Sequence, residues 1–250
     1  MKQDSSTDSW NKEKMSDEWI RLSQINDERK NFIMPFTFKQ LGDVSGKTVL
    51  DLGCGEGGYS RELSKRGAKV TAVDCAEKVI VYCKSQAEKE GLEITCLVRN
   101  SCDLFGIEND TFDIVLASMM LMDCEDLEGT IKEIHRVLKP SGKLFASVLH
   151  PCFAVNGDGI GRQDAGVDRK VVVANYFFPK ERLEPIAKGA NELVVWRHRT
   201  IEDYVKAFTK CELIIVDLNE PSPDVVTDKR TEMLDWLRKI PLFLFWELKK

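Results

Sequence analysis

Glycine and acidic residues in the first third of this 250-residue chain have a spacing that could do chemistry. Gly53, Gly55, Gly57 and Gly58 follow the apolar run Thr48 to Leu52, and Asp51 stands two residues before the first of them. Asp74 comes twenty-one residues after Gly53, at the end of a second apolar run, Ala68 to Val73. Glycines at such a turn let a ligand lie against the backbone, where any Cβ would intrude. A carboxylate at the offset of Asp74 can accept both hydroxyls of a ribose. Dinucleotide enzymes share those two features, and Asp51 separates the cases. A pyrophosphate at the turn would meet a negative charge, whereas an ammonium or a sulfonium would be attracted, directly or through a water. The spacing therefore points away from NAD and towards S-adenosylmethionine, which carries an adenosine and a methionine zwitterion but no phosphate.

Other residues could act on a second ligand. His150 ends a later apolar run, on the crevice edge where such sheets bind substrates. An ordinary imidazole suits general-base work, and a histidine there can equally fix the Pro151 turn by hydrogen bonding. His198 and Arg199 stand before a helix pattern and could pair with an anionic group of a substrate, or make a surface salt bridge. His135 lies among charged neighbours in a helix pattern and reads as structural. The eight cysteines form no C-x-x-C pair, and no histidine stands at ligand spacing from one. They read as reduced thiols of a cytoplasmic protein, with no metal site.

The elements that must position these residues alternate. Strands are expected at Thr48–Leu52, Ala68–Asp74, Glu93–Val98, Phe112–Ser118, Lys143–Leu149 and Leu213–Leu218. Helices are expected near 57–66, 76–90, 127–138 and 201–210. Gly91 ends one of them, Lys139-Pro140-Ser141-Gly142 stops another, and Thr200 with Asp203 caps the last. Such alternation gives an α/β fold: a doubly wound, mostly parallel, seven-stranded Rossmann-like sheet. The final run, Leu242–Leu248, has room to be an edge strand.

Residues 1–44 are expected to form a helical cover, and 45–250 the main domain. Within the cover, 1–16 read as frayed. A helix follows from Asp17 with Trp19, Ile20, Leu22 and Ile25 apolar, then a charged break at Asn26–Asn31 and a short helix from Pro35 to Leu41. Residues 151–197 are too long for a simple connection and read as an insertion over the substrate side, with strand-like runs Val171–Phe178 and Glu192–Trp196.

Net charge is −5 and the sequence pI about 5.4, with basic residues spread along the chain. That argues against a nucleic-acid partner. Met1 to Asp8 carry no signal-peptide run, and the longest apolar stretches are strand-sized, so neither secretion nor a membrane is expected. Nothing in the sequence sets an oligomeric state.

The run Val49-Leu50-Asp51-Leu52-Gly53-Cys54-Gly55-Glu56-Gly57 resembles a class I S-adenosylmethionine-dependent methyltransferase of the small-molecule, type 11-like kind. Val70-Thr71-Ala72-Val73-Asp74, Thr111-Phe112-Asp113-Ile114-Val115 and Glu133 through Gly142 carry the same resemblance, which is strong over residues 45–150. Two later segments, His150-Pro151-Cys152-Phe153 and His198-Arg199-Thr200, are similar to a bacterial subgroup whose substrates are mostly unassigned. The resemblance implies that Gly53, Cys54 and Gly55 line the methionine part of S-adenosylmethionine and that Asp51 faces its amino group. It implies that Asp74 holds the ribose, with Cys75 beside the adenine. Asn100 stands where an acid often accepts from the adenine amine, flanked by Ser101 and Cys102; an amide oxygen can accept the same bond. Ala117 and Ser118 would line the sulfonium side with Met119, and Met119, Met120 and Met122 are soft enough either to flank a cofactor or to pack a core.

The expected reaction is methyl transfer to a small polar metabolite by direct displacement, which needs alignment more than a catalytic signature. His150 is the candidate base, and His150, His198 and Arg199 the candidate acceptor contacts. An RNA or protein acceptor, a dinucleotide oxidoreductase and a catalytically silent binding partner are the other readings.

Overall fold

A computed structural model describes residues 5–153, 160–163, 170–173, 176–177, 181–186 and 190–250. Its centre is a seven-stranded sheet made of β1 (Thr48–Leu52), β2 (Lys69–Asp74), β3 (Ile94–Val98), β4 (Phe112–Ser118), β5 (Leu138–Leu149), β10 (Ile214–Asn219) and β11 (Phe243–Lys249), in the order β10-β11-β5-β4-β1-β2-β3. β1 to β5 are parallel to one another, and β11 runs antiparallel between β5 and β10. The doubly wound, mostly parallel expectation holds. The order departs between β1 and β4, where the chain first goes one way across the sheet and then the other, so a crevice opens at the carboxyl ends of those strands.

Helices α4 (Gly58–Lys65), α5 (Glu77–Lys89), α6 (Leu127–Val137) and α7 (Ile201–Lys210) connect the strands. Their ends follow from local chemistry. Asp126 accepts from the Gly129 N–H at 2.8 Å at the start of α6. Thr200 and Asp203 exchange bonds at the start of α7 (3.1 and 2.7 Å), a reciprocal cap. α7 buries Tyr204 and Phe208 against Trp246 of β11, with ring centroids 5.3 and 5.5 Å apart. Burying each such aromatic contributes roughly 1.5–3 kcal/mol.

Three expectations are corrected. Residues before Asp17 are not frayed where described: α1 (Ser5–Trp10) and α2 (Glu13–Ser23) form there, and Met15 is 0 % exposed. The break after α2 falls earlier than expected: the helix stops at Ser23, and most of the charged stretch is already helical, with a π-helical turn at Arg29–Ile33 that runs straight into α3 (Met34–Leu41), which carries Pro35 in its first turn. The final strand is interior, not an edge: β11 pairs with β5 on one side and β10 on the other, and β10 is the edge.

β5 also begins earlier than expected. Leu138 pairs with Phe112 and Lys143 with Ile114, so Ser141, at φ +66°, takes up the extra residues as a bulge rather than a stop. Within 151–197, hairpins β6 (Ile160–Gln163) with β7 (Lys170–Val173), and β8 (Glu181–Pro185) with β9 (Leu193–Arg197), are described. Of the run expected at 171–178, residues 174, 175 and 178 lie outside the described residues. The last helix, α8 (Glu232–Leu237), packs with Phe32, Phe36 and Phe243 on the α3 side of the sheet.

Candidate active site

The turn after β1 is tied to β2. Gly53 and Cys54 both donate to the Val73 carbonyl, at 2.8 and 3.0 Å, and the Gly55 N–H donates to Asp74 Oδ2 at 2.9 Å. Asp74 Oδ1 accepts from the Ala76 N–H at 3.0 Å, so this one carboxylate anchors both the turn and the start of α5. Burial raises the Asp74 carboxyl above the usual carboxylate range against those bonds. Gly53 and Gly55 sit at φ +69° and +56°, where a side chain is strained. A Cβ at Gly53 would stand 2.7 Å from Met120 Cβ, and one at Gly55 would stand 2.8 Å from Trp19 Nε1. The bare backbone is thus also pressed by two of the protein's own side chains.

Asp51 is 1 % exposed and accepts from Ser60 Oγ at 2.5 Å. Burial pushes its carboxyl up to about 6, opposed by Ser60 and by the charge of Arg29. Arg29 reaches the turn from the cover and donates to Glu56 Oε1 at 2.7 Å, while Arg61 holds the other Glu56 oxygen at 2.8 Å. Beneath the turn, Cys54 and Cys83 are enclosed, and Cys83 Sγ lies 3.8 Å from Cys96 Sγ. A bond from Cys83 favours a Cys54 thiolate, but burial together with the charges of Asp74 and Asp51 outweighs it and pushes the Cys54 thiol up to about 12.

The cover closes on this turn. Asn11 donates to the Cys75 carbonyl at 3.0 Å and accepts from the Glu77 N–H at 3.3 Å. Asn100 Nδ2 donates to Thr7 Oγ1 at 3.0 Å, and its Oδ1 accepts from the Cys102 N–H at 3.2 Å. Ser101 Oγ meets Thr130 Oγ1 at 2.9 Å and Cys124 Sγ at 3.4 Å, on the α6 side. Ala117 is fully enclosed in the core, and Ser118 Oγ lies 3.3 Å from Ser147 Oγ. Met119 follows at φ +59°, a backbone state uncommon outside glycine, and its N–H bonds the Ser147 carbonyl at 2.8 Å.

The second group of predicted residues divides. His150 is 2 % exposed; its Nε2 lies 2.6 Å from Glu220 Oε1 and its Nδ1 accepts from the Cys152 N–H at 3.0 Å. Burial lowers its pKa against the pull of Glu220. Both ring nitrogens are engaged, so the geometry makes His150 the residue that fixes the turn after β5, not a free base. Arg199 is likewise occupied. It donates to the carbonyls of Leu121 (3.0 Å), Cys124 and Glu125 (3.3 Å), which clips down the loop after β4. His198 keeps one nitrogen bare: Nε2 meets the Tyr176 carbonyl at 2.8 Å, and Nδ1 is buried with no partner among the described residues.

Two groups escaped the sequence reading. Arg197, 5 % exposed, donates to the Asp123 carbonyl at 2.9 Å and to Glu181 Oε1 at 2.8 Å. Burial pushes the Asp123 carboxyl up to about 7. Neither has a spacing signal, because the contact that brings them together spans seventy-four residues.

Residues 50–146, from β1 through most of β5, match the methyltransferase domain family. A Mesorhizobium loti S-adenosylmethionine-dependent methyltransferase has a crystal structure that superposes with a TM-score of 0.71 at 25 % identity, covering 86 % of this chain and 96 % of that one. Residues 50–146 are a methyltransferase domain, on the fold of S-adenosylmethionine-dependent methyltransferases. This methyltransferase domain is also similar to two proteins named ubiquinone biosynthesis O-methyltransferase. One, from Coxiella burnetii, is 35 % identical over 132 residues (53 % of this chain and 54 % of that protein). The other, from Xanthomonas oryzae, is 34 % identical over 108 residues (43 % and 45 %). The chain spans about half the length of the curated relatives it matches.

The donor set of the methyltransferase domain fits the cofactor. Three carboxylates (Asp51, Glu56 and Asp74) and two guanidiniums (Arg29 and Arg61, both on Glu56) gather at the turn; Asp51 and Asp74 suit an ammonium and a diol and disfavour a pyrophosphate. Among the described residues, no three histidine, cysteine or acidic side chains are grouped to hold a metal, and no helix is long and apolar enough to cross a membrane.

Proposed function

We propose that the protein transfers a methyl group from S-adenosylmethionine to a small polar metabolite. The observation that carries this reading is the convergence of Asp51, Asp74 and Arg29 on one glycine turn. Asp74 would hold the ribose hydroxyls, as a carboxylate at that offset from the glycine turn can. Asp51 would face the ammonium, and Arg29 the carboxylate. The adenine would lie by Cys75 and Asn100, under α1. Bound S-adenosylmethionine supplies an activated methyl, so the chain itself has only to align the acceptor and exclude water. The cover and the insertion together keep water out. Glu18 of α2 joins them, accepting from the backbone N–H groups of Asn191 (2.9 Å) and Glu192 (2.7 Å) beside β9.

The names of the relatives favour an oxygen acceptor, and the acidic chain disfavours an extended nucleic-acid surface. The test is a screen of metabolite extracts with the purified protein, scored by S-adenosylhomocysteine formation and by methyl mass gain. Methylation of a small compound is the expected result. Methylation of bulk transfer RNA or of a protein, with no compound in the extract modified, overturns the small-molecule assignment.

A further inference from the structure

His198 is one of several residues with a buried polar side-chain atom that has no hydrogen-bond partner among the described residues, and its unpartnered atom is a ring nitrogen that can accept a proton. The residue is 5 % exposed and lies between the rings of Tyr176 and Trp196, with centroids 5.7 and 5.9 Å away. A carbonyl only accepts, so the 2.8 Å contact with the Tyr176 carbonyl puts the imidazole proton on Nε2. Nδ1 then carries a bare lone pair, sealed from solvent and without a partner among the described residues. A buried acceptor left in that state costs roughly 1–3 kcal/mol. Native structures keep such groups rarely, and catalysis is one reason they are kept.

The position of the ring points the same way. Its two neighbours grip the loop after β4: Arg197 holds the Asp123 carbonyl and Arg199 those of Leu121, Cys124 and Glu125. That loop begins with Met119 and Met120, and Met120 presses on Gly53 of the cofactor turn. Tyr176 is fixed in turn, its hydroxyl accepting from the Ile201 N–H at 3.0 Å at the start of α7. His198 therefore stands at the seam of the β4 loop, the insertion and α7, held by one nitrogen and unpartnered at the other among the described residues. His150 has no nitrogen to offer.

We infer that His198 Nδ1 is the proton acceptor of the reaction and that the methyl acceptor is a hydroxyl compound. The inference rests on the methyl-transfer reading. As the acceptor oxygen bonds the methyl carbon, the methyl–sulfur bond breaks with its electron pair staying on sulfur, and the hydroxyl proton passes to Nδ1. The resulting imidazolium keeps its Nε2 bond to Tyr176 and later yields the proton to water.

The test begins with the free protein labelled with 15N-histidine, whose three histidines are separated by His135→Gln and His198→Gln. The His198 signals should show a protonated Nε2 and an unprotonated Nδ1; the reverse tautomer overturns the inference. The second measurement uses His198→Gln, whose amide N–H can still reach Tyr176 while the Nδ1 lone pair is gone. It should melt with the parent, bind S-adenosylhomocysteine with unchanged affinity, and form S-adenosylhomocysteine in metabolite extract at least about a hundredfold more slowly, the usual share of a general base. Turnover within threefold of the parent overturns the assignment. If the parent itself fails to bind S-adenosylhomocysteine, it is the methyl-transfer reading that falls, whatever the tautomer.

Discussion

At the scale of single residues, Asp51 and Asp74 differ in what they already do. Asp74 bonds the backbone at Gly55 and Ala76, so its removal loosens the turn as well as the ribose contact. Asp74→Ala should weaken S-adenosylhomocysteine binding by tenfold to a hundredfold, about 1.5–3 kcal/mol for bonds to a charged group. Calorimetry that finds parent affinity removes Asp74 from the cofactor site. Asp51 instead sets a pH dependence. Its folded carboxyl, near 6, holds a proton more tightly than the unfolded one. The stability it contributes is therefore complete below the ordinary carboxylate pKa and is lost as pH rises through about 6, on the order of 3 kcal/mol. Cofactor affinity should run the opposite way and fall below about pH 6, because an ammonium beside Asp51 favours the charged form. Asp51→Asn should flatten both trends in melts and titrations between pH 4 and 8. Trends that persist in the variant belong to another group.

At the scale of elements, Glu18 is the tie between the cover and the insertion. Glu18→Ala should speed hydrogen exchange at Asn191 and Glu192 and shorten the residence of bound S-adenosylhomocysteine. Exchange at those amides equal to the parent's would mean that the tie holds nothing in place. The βα units from β1 to β5 were legible because each strand is a short apolar run and each helix has a local cap, as at Asp126 and Thr200. α1 was not legible: its residues are polar, and it is held by distant partners such as Asn100 and by packing beside β9. The role of His198 was half legible. Its place before α7 could be read, but its bare nitrogen depends on the carbonyl of Tyr176, twenty-two residues earlier, where no spacing rule applies. His150 misled for the same reason, since Glu220 lies seventy residues on.

At the scale of the whole molecule, the last strand completes the sheet rather than fringing it. β11 joins β10 to β5 and supplies Phe243, Phe245, Trp246 and Leu248 to the cores on both faces. Removing residues 241–250 would strip β5 of a neighbour and empty several aromatic sites, each worth roughly 3–5 kcal/mol when truncated. That exceeds the net stability of an ordinary domain. The shortened chain should show no cooperative melt by circular dichroism, and a sharp transition would place the folding core in β1 to β4 alone.

A cysteine in a cofactor turn is ordinarily a liability towards electrophiles, since the thiolate is the reactive form. Cys54 escapes that fate by enclosure, as do Cys83, Cys124 and Cys211. With the thiols of Cys54 and Cys124 held at about 12 and 11, those sulfurs stay protonated at any physiological pH. Cys54 is in this sense chemically quiet, and the attack of an alkylating reagent on it would time how often the turn itself comes open.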